Sequence, residues 1–272
     1  MSHAHFDESY GANPAENYER FFVPSIGEPL AKELVSRAGV RPTDRVLDVA
    51  CGTGIVARLL SEVVDAGGAV TGLDPNGSML AVARTVTPPR AGIKWYQAPA
   101  EDMPLAPESF DVVLCQMGLQ FMGDRPAALA EMHRVLKGDG RLLLSVPGPI
   151  TGVFAALASA MERHVGPRAA QFVSQVFSLH DVDELERLMR EAGFLEVVVE
   201  ATSHVLELPP PRQFLRQYIH STPLAAVVSE VDAVALAALE QEVLDAWAEF
   251  VRDDVLEHRL RLVVTSGTKT AA

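Results

Sequence analysis

The sequence predicts an α/β fold: a doubly wound, seven-stranded and mostly parallel sheet with helices on both faces and a helical lid. Short apolar runs alternate with amphipathic helical patterns from residue 46 to residue 146, as expected for parallel strands joined by helices. The first apolar run, residues 46–49, leads straight into a glycine turn and then a helical pattern. A triple-proline break at 209–211 precedes three more helical patterns, which indicates a helical lid.

The composition is that of an ordinary enzyme and argues against two classes of partner. The chain has 272 residues, 48% of them hydrophobic, which is enough for one large core. Its net charge of −13 would repel the phosphates of nucleic acid and an anionic membrane surface. The sequence shows neither a membrane-spanning apolar run nor the apolar core of a signal peptide. We therefore expect neither a nucleic-acid nor a membrane partner.

The cysteine content indicates a reducing compartment. Cys51 and Cys115 are the only two cysteines, too few for a disulfide framework and without zinc-ligand spacing. We expect a cytoplasmic protein without a metal site, acting as a monomer or homodimer.

The glycine turn after the first strand predicts a ligand-binding loop. Gly52 and Gly54 lack side chains, so backbone N–H groups at the following helix start can face a polar ligand. Asp48 interrupts the strand, and a carboxylate there is costly to bury unless it meets a cation or hydrogen-bond donors. A ligand amine would satisfy that carboxylate.

The pattern Asp48-x-Ala50-x-Gly52-x-Gly54 resembles the first motif of Rossmann-like (class I) S-adenosylmethionine-dependent methyltransferases, in their UbiE-like, small-molecule branch. Ala50 departs from the family pattern, in which glycine is commoner at this position. The alanine side chain leaves less room for the cofactor. Residues 131–140, with the pattern Glu-x-x-Arg-Val-Leu-Lys-x-x-Gly, resemble a second common methyltransferase signature. The resemblance covers residues 16–207 and implies the strand order 3-2-1-4-5-7-6.

Two other functions remain open at this point. Gly52, Gly54 and Ala57 also fit the dinucleotide pattern G-x-G-x-x-A, with Asp74 further along the chain, which would suit an NAD(P)-dependent oxidoreductase. That alternative gives Asp48 no role. A non-catalytic protein that binds S-adenosylmethionine is the other alternative.

Further cofactor contacts are predicted along the chain. Asp74 ends the second strand, where an acid can accept both hydroxyls of an adenosine ribose. The resemblance places Pro75 and Met79 along the adenine, and the backbone of Ala100 and Glu101 at the edge of the ring. It also implies that the N-terminal segment covers the cofactor; the contact residues predicted there are Tyr18 and Phe22. Pro99 stands where, in the family, an acid often accepts a hydrogen bond from the adenine amino group. In this protein that hydrogen bond must be absent or come from another residue.

The fourth strand is predicted to open into the mouth of the site. In open α/β sheets, ligands bind beyond the carboxyl ends of the strands, at the reversal of strand order. Gln116 is therefore predicted to contact cofactor, and Gln120 and Phe121 to contact substrate; packing of the loop is an equal alternative for the last two.

The predicted domain scheme has three parts. Residues 1–208 form the core with N-terminal cover helices and include lid helices within 147–177. Residues 209–257 form a helical lid inserted between two strands, and residues 258–272 form a final strand and tail that returns beside residues 195–208.

Methyl transfer requires chiefly alignment of donor and acceptor and exclusion of water, so no dedicated catalytic residue is needed. Among the histidines that titrate near neutral pH, His220 is the candidate base, beside Tyr218 as a second substrate contact. We expect methylation of a small or medium organic acceptor on oxygen, carbon or nitrogen.

Overall fold

The computed structural model describes residue 10 and residues 13–271, and the chain divides into two compact units. The first unit contains the described residues up to Gly27 together with Pro149–Ser178 and Ser203–Arg261. The second unit contains Glu28–Gly148, Leu179–Thr202 and the residues from Leu262 onward. The predicted domain boundary at residue 208 stays a prediction.

The sheet contains eight strands among the described residues. They are β1 (Arg45–Val49), β2 (Ala69–Asp74), β3 (Lys94–Gln97), β4 (Phe110–Gln116), β5 (Leu136–Pro147), β6 (Leu195–Leu208), β7 (Val251–Arg252) and β8 (Val255–Thr268). The strand order is β3-β2-β1-β4-β5-β8-β6, and β7 pairs only with β8. Strands β1 to β5 are parallel, whereas β8 runs antiparallel to β5. The predicted order is confirmed, since the last long strand lies between the fifth and the sixth; the two-residue β7 was not predicted.

The described residues form eleven α-helices. They are α1 (Pro14–Asn17), α2 (Glu28–Ala38), α3 (Ile55–Ser61), α4 (Gly77–Val86), α5 (Arg125–Val135), α6 (Gly152–His164), α7 (Pro167–Val176), α8 (Val182–Glu191), α9 (Pro211–His220), α10 (Leu224–Val228) and α11 (Ala233–Trp247). Short 3₁₀ turns lie at Pro89–Ala91, Leu119–Phe121 and Ala248–Phe250. No helix of the described residues is both long and apolar enough to cross a bilayer.

The core of the second unit lies where the central strands meet α5 and α8. Leu47, Val113 and Leu144 from three parallel strands are fully buried in one cluster with Met132 of α5 and Met189 of α8. Strands covered on both sides must be apolar along their whole length, which is why the sequence pattern located them well. The core thus fixes the strands whose carboxyl ends carry the predicted ligand loops.

The first unit is mainly helical, and its core is aromatic. Phe154 of α6 contacts the rings of Phe177, Phe214, Tyr218 and His258 at centroid distances of 4.9–6.4 Å. Trp247 at the end of α11 is fully buried and donates its indole N–H to the Val153 carbonyl at 2.8 Å. Helices α6 and α11 therefore hold each other in place.

A π-helix between α1 and α2 was not predicted. It spans Tyr18–Gly27 and contains Pro24. Proline cannot donate a backbone hydrogen bond, and i→i+5 bonding is rare outside single turns near functional sites. The α-helical part begins only at Glu28.

Candidate functional site

Asp48 is a buried acid in β1, next to the glycine turn. Its side chain is 1% exposed, and Oδ2 accepts the backbone N–H of Ala57 at 3.0 Å. Burial raises the pKa of Asp48 to about 8, although the Ala57 hydrogen bond opposes that rise. The carboxyl group therefore holds a proton at neutral pH until a cationic group approaches it.

The glycine turn has the left-handed backbone that its residues predict. Gly52 and Gly54 have φ values of 54° and 87°, which glycine adopts readily, and Gly54 caps α3. Ala50 also lies in this region, with φ 56°, where a residue with a Cβ is strained by about 1–2 kcal/mol. Thr53 between the two glycines is 1% exposed, and its Oγ1 has no hydrogen-bond partner within the described part of the chain.

Asp74 connects the end of β2 to this turn. Its Oδ2 accepts the backbone N–H of Gly52, and its Oδ1 accepts that of Asn76, both at 2.8 Å. Burial raises the pKa of Asp74, and the two hydrogen bonds oppose the rise. Each carboxylate oxygen keeps a second lone pair, so the side chain can still accept two ligand hydroxyls.

The predicted adenine-side residues lie around Asp74 and after β3. The Pro75 carbonyl accepts the Gln97 amide at 3.2 Å, and Met79, in the first turn of α4, donates its N–H to the Asn76 side chain at 3.3 Å. Ala100 is buried in the core cluster, whereas the Glu101 carboxylate accepts the N–H of Gly123 at 3.1 Å. The Glu101 side chain therefore has a structural role, and the predicted backbone contacts to a ligand stay a prediction.

Trp95 covers the glycine turn, a contact that was not predicted. A Cβ added at Gly54 or at Gly72 would lie 2.4 Å from the Trp95 indole. Gly72 pairs with Trp95 in the register between β2 and β3. A glycine in the middle of a buried strand can mark a close approach, so Gly72 was the one signal in the sequence from which this contact could have been inferred.

The turn after β4 holds the next group of predicted residues. Met117 has φ 48°, its N–H bonds the Ser145 carbonyl at 2.7 Å, and its carbonyl accepts the Gln120 amide at 3.0 Å. Gln120 is 2% exposed, and its Oε1 has no hydrogen-bond partner among the residues that the structure describes. Phe121 is 44% exposed, and Gln116 at the end of β4 is half-buried.

Four of the predicted residues lie together in the first unit. Tyr18 and Phe22 of the π-helix stack at 4.6 Å, and Phe22 lies 6.4 Å from Tyr218. His220 stacks on Tyr10 at 4.7 Å, and its carbonyl accepts the Asn17 amide at 3.2 Å. Tyr18 and Phe22 were assigned to cofactor and Tyr218 to substrate, yet these three rings belong to one group, whereas the His220 ring contacts Tyr10.

Several buried groups are unsuited to proton transfer. Burial raises the pKa of the Tyr218 hydroxyl far above its usual value, with a further contribution from nearby Tyr18. Burial also raises the pKa of the Cys115 thiol to about 12 and lowers that of His258 to about 4. These side chains stay uncharged at neutral pH. Within residue 10 and residues 13–271, no group of three or more potential ligands is placed to hold a metal ion.

The sheet and the acid–glycine turn together define a Rossmann-like protein that binds an adenosine cofactor carrying an amine. The buried Asp48, the hidden Thr53 hydroxyl and the two left-handed glycines fit the amino-acid end of such a cofactor, and Asp74 fits its ribose. The comparisons with known proteins specify the class further.

Residues 47–144 match the family described as a methyltransferase domain. A demethylmenaquinone methyltransferase of Staphylococcus aureus is 32% identical over 182 residues, which cover 62% of this chain and 76% of the relative. The chain belongs to the class I S-adenosylmethionine-dependent methyltransferases, and its cofactor is S-adenosylmethionine. The NAD(P)-dependent alternative is therefore not supported.

Solved structures agree with this fold. The YcgJ protein of Bacillus subtilis superposes with a TM-score of 0.61 at 18% identity, over 89% of this chain and 98% of that chain. Phosphoethanolamine N-methyltransferase 2 of Haemonchus contortus, solved with S-adenosyl-L-methionine, gives a TM-score of 0.59 at 21% identity, over 94% of this chain and 56% of that chain.

Proposed function

We propose that this methyltransferase methylates a small or medium organic acceptor with an apolar, aromatic or lipid-like body, on oxygen, carbon or nitrogen, in the cytoplasm. The cofactor supplies the methyl group on its sulfonium sulfur. Asp48, the Gly52–Gly54 turn and Asp74 bind and orient the cofactor. Phe121 is the proposed acceptor contact in the second unit, and the aromatic residues of the first unit suit an apolar acceptor.

The aromatic composition of the first unit carries the proposal. Six of its rings form one connected series of contacts: Phe22, Tyr218, Phe154, Phe177, Phe214 and Trp247. Small-molecule sites are lined mainly by such apolar and aromatic side chains. The relative from Staphylococcus aureus is named for demethylmenaquinone, which supports an aromatic, lipid-like acceptor.

The charge of the protein also supports an uncharged acceptor. The net charge of −13 disfavours nucleic acid and phosphorylated molecules. No side chain among the described residues of the β4 turn is a base, because Gln116, Gln120 and Phe121 do not titrate. Without a base in that turn, the proposed reaction needs an acceptor that reaches the site already deprotonated, as a neutral amine, an enolate or a phenolate.

Turnover with a panel of quinol, phenol and amine acceptors, followed by the release of S-adenosylhomocysteine, tests the proposal. The variant Phe121→Ala should lower kcat/KM for the preferred acceptor by about tenfold, the equivalent of ~1.4 kcal/mol, while S-adenosylhomocysteine binds as in the wild type. Leu195→Ala removes an apolar side chain of similar exposure, 46%, and should change neither quantity.

Cofactor binding without turnover on any acceptor would contradict the proposed reaction and favour a binding-only protein. Equal kcat/KM for the wild type and Phe121→Ala would remove Phe121 from the acceptor site.

A further inference from the structure

Two turns at the carboxyl ends of neighbouring strands touch at a single point. Ala50 lies in the turn after β1, and Gly118 lies in the turn after β4, which is paired in parallel with β1. A Cβ added at Gly118 would lie 2.6 Å from the Ala50 Cβ and 3.0 Å from the Cys115 Sγ. Because real Cβ atoms do not approach within 3.0 Å, residue 118 has no room for a side chain while residue 50 carries its methyl group.

Both turns are strained and firmly anchored, so neither one can move away easily. Ala50 and Met117 are non-glycine residues with φ values of 56° and 48°. Met117 is held through its N–H to Ser145 and through its carbonyl to Gln120. The turn that contains Ala50 is held through the Gly52 N–H to Asp74. A group pushed into the contact must therefore displace anchored backbone.

We infer that Ala50 and Gly118 form a matched pair that sets the spacing of the two turns, and that Gly118 is thereby a positioning residue for the cofactor. The inference rests on the assignment of the Asp48–Gly54 turn to S-adenosylmethionine. A side chain at residue 118 presses on the Ala50 methyl group and shifts the backbone of Gly52 and Thr53. Without the methyl group at residue 50, the same side chain is accommodated.

A double-mutant cycle tests the pair. It compares the wild type, Ala50→Gly, Gly118→Ala and the double variant by calorimetric titration with S-adenosylhomocysteine and by thermal unfolding. In the wild-type background, Gly118→Ala should weaken binding about tenfold or more, a coupling of the size found for residues in contact. In the Ala50→Gly background, the same substitution should weaken binding by less than about threefold, since the nearest atom is then Cys115 Sγ at 3.0 Å, and Met122 Cε at 3.7 Å is in ordinary van der Waals contact.

Gly123→Ala is the matched control, because a Cβ there meets no atom within 4 Å and the residue follows the same turn. It should leave both binding and unfolding unchanged. If Gly118→Ala fails to fold, soluble expression and a cooperative transition restored in the double variant support the pair.

The inference is overturned if Gly118→Ala binds S-adenosylhomocysteine with wild-type affinity. It is also overturned if Gly118→Ala lowers the affinity equally in both backgrounds, or if the double variant stays unfolded. Failure of the wild type to bind S-adenosylhomocysteine would instead overturn the cofactor assignment. In that case the unfolding data still test whether residues 50 and 118 are coupled. Additive effects of the two substitutions on the unfolding temperature would refute that coupling.

Discussion

The carboxylate of Asp74 holds the backbone of Gly52, with 2.8 Å between Oδ2 and the amide nitrogen. The acid assigned to the cofactor ribose is thus also part of the framework that shapes the glycine turn. A sequence motif treats these two residues as separate ligand contacts. In the structure a hydrogen bond joins them. A substitution at Asp74 therefore changes both the predicted contact with the ribose and the shape of the glycine turn.

Asp74→Asn should weaken S-adenosylhomocysteine binding by about 1.5–3 kcal/mol, the range for losing hydrogen bonds to a charged acceptor. The asparagine offers one acceptor oxygen in place of two, so one backbone N–H, of Gly52 or of Asn76, loses its partner. Calorimetry measures the affinity, and thermal unfolding should show a lower stability as well. Asp102→Asn, an exposed acid near the site, is the control. Unchanged affinity in the folded Asp74 variant would remove Asp74 from the ribose site.

Asp48 should make the ligand-free protein less stable as the pH rises. Its pKa is about 8 in the folded protein and 3.8 as the ordinary value, so the folded state binds the proton more tightly. The resulting stabilisation is complete below about pH 4 and is lost progressively as the pH rises towards 8.

The variant Asp48→Asn keeps an oxygen for the Ala57 N–H but has no charge to bury. Between pH 5 and pH 8 its advantage in stability over the wild type should grow by ~2 kcal/mol or more. Chemical unfolding at several pH values measures that difference. A constant difference across this range would show that Asp48 does not titrate there.

Cofactor binding should release a proton near pH 7. The ammonium group of the ligand favours the ionised form of Asp48 and lowers its pKa from about 8. Calorimetric titration with S-adenosylhomocysteine, in buffers that differ in ionisation enthalpy, should show release of about 0.5–1 proton at this pH. Asp48→Asn should abolish most of that release. Identical enthalpies in all buffers for the wild type would contradict the contact between Asp48 and the amine.

Gly72→Ala should destabilise the second unit by about 1–3 kcal/mol, the usual cost of overpacking a core. The added methyl group would meet the Trp95 indole at 2.4 Å. Replacing Trp95 with leucine in the same chain should recover part of the loss, because the obstructing ring is removed. Chemical unfolding measures both variants against Gly123→Ala. Equal stability of Gly72→Ala and the wild type would show that the indole moves aside at no cost.

Local pattern was sufficient for much of the fold. The runs at 46–49, 69–74 and 110–115 coincide with β1, β2 and β4 to within a residue, because strands buried on both faces must be continuously apolar. Asn76 is the N-cap residue of α4, because its side chain caps the N–H groups of Ser78 and Met79. The polar, glycine-containing residues 137–140 show no strand pattern, yet β5 begins at Leu136, immediately after α5 ends.

Residues far apart in the chain account for most of what the patterns missed. The sequence by itself determined the order of strands and helices, the acid–glycine turn and the chemical types at the cofactor site, because these follow from neighbouring residues. Only the tertiary structure decided that Trp95 covers Gly54 and Gly72, that Ala50 excludes a side chain at Gly118, and that Tyr18 and Phe22 join Tyr218. Such contacts depend on which surfaces the packed strands and helices bring within van der Waals distance, and no local periodicity encodes that distance.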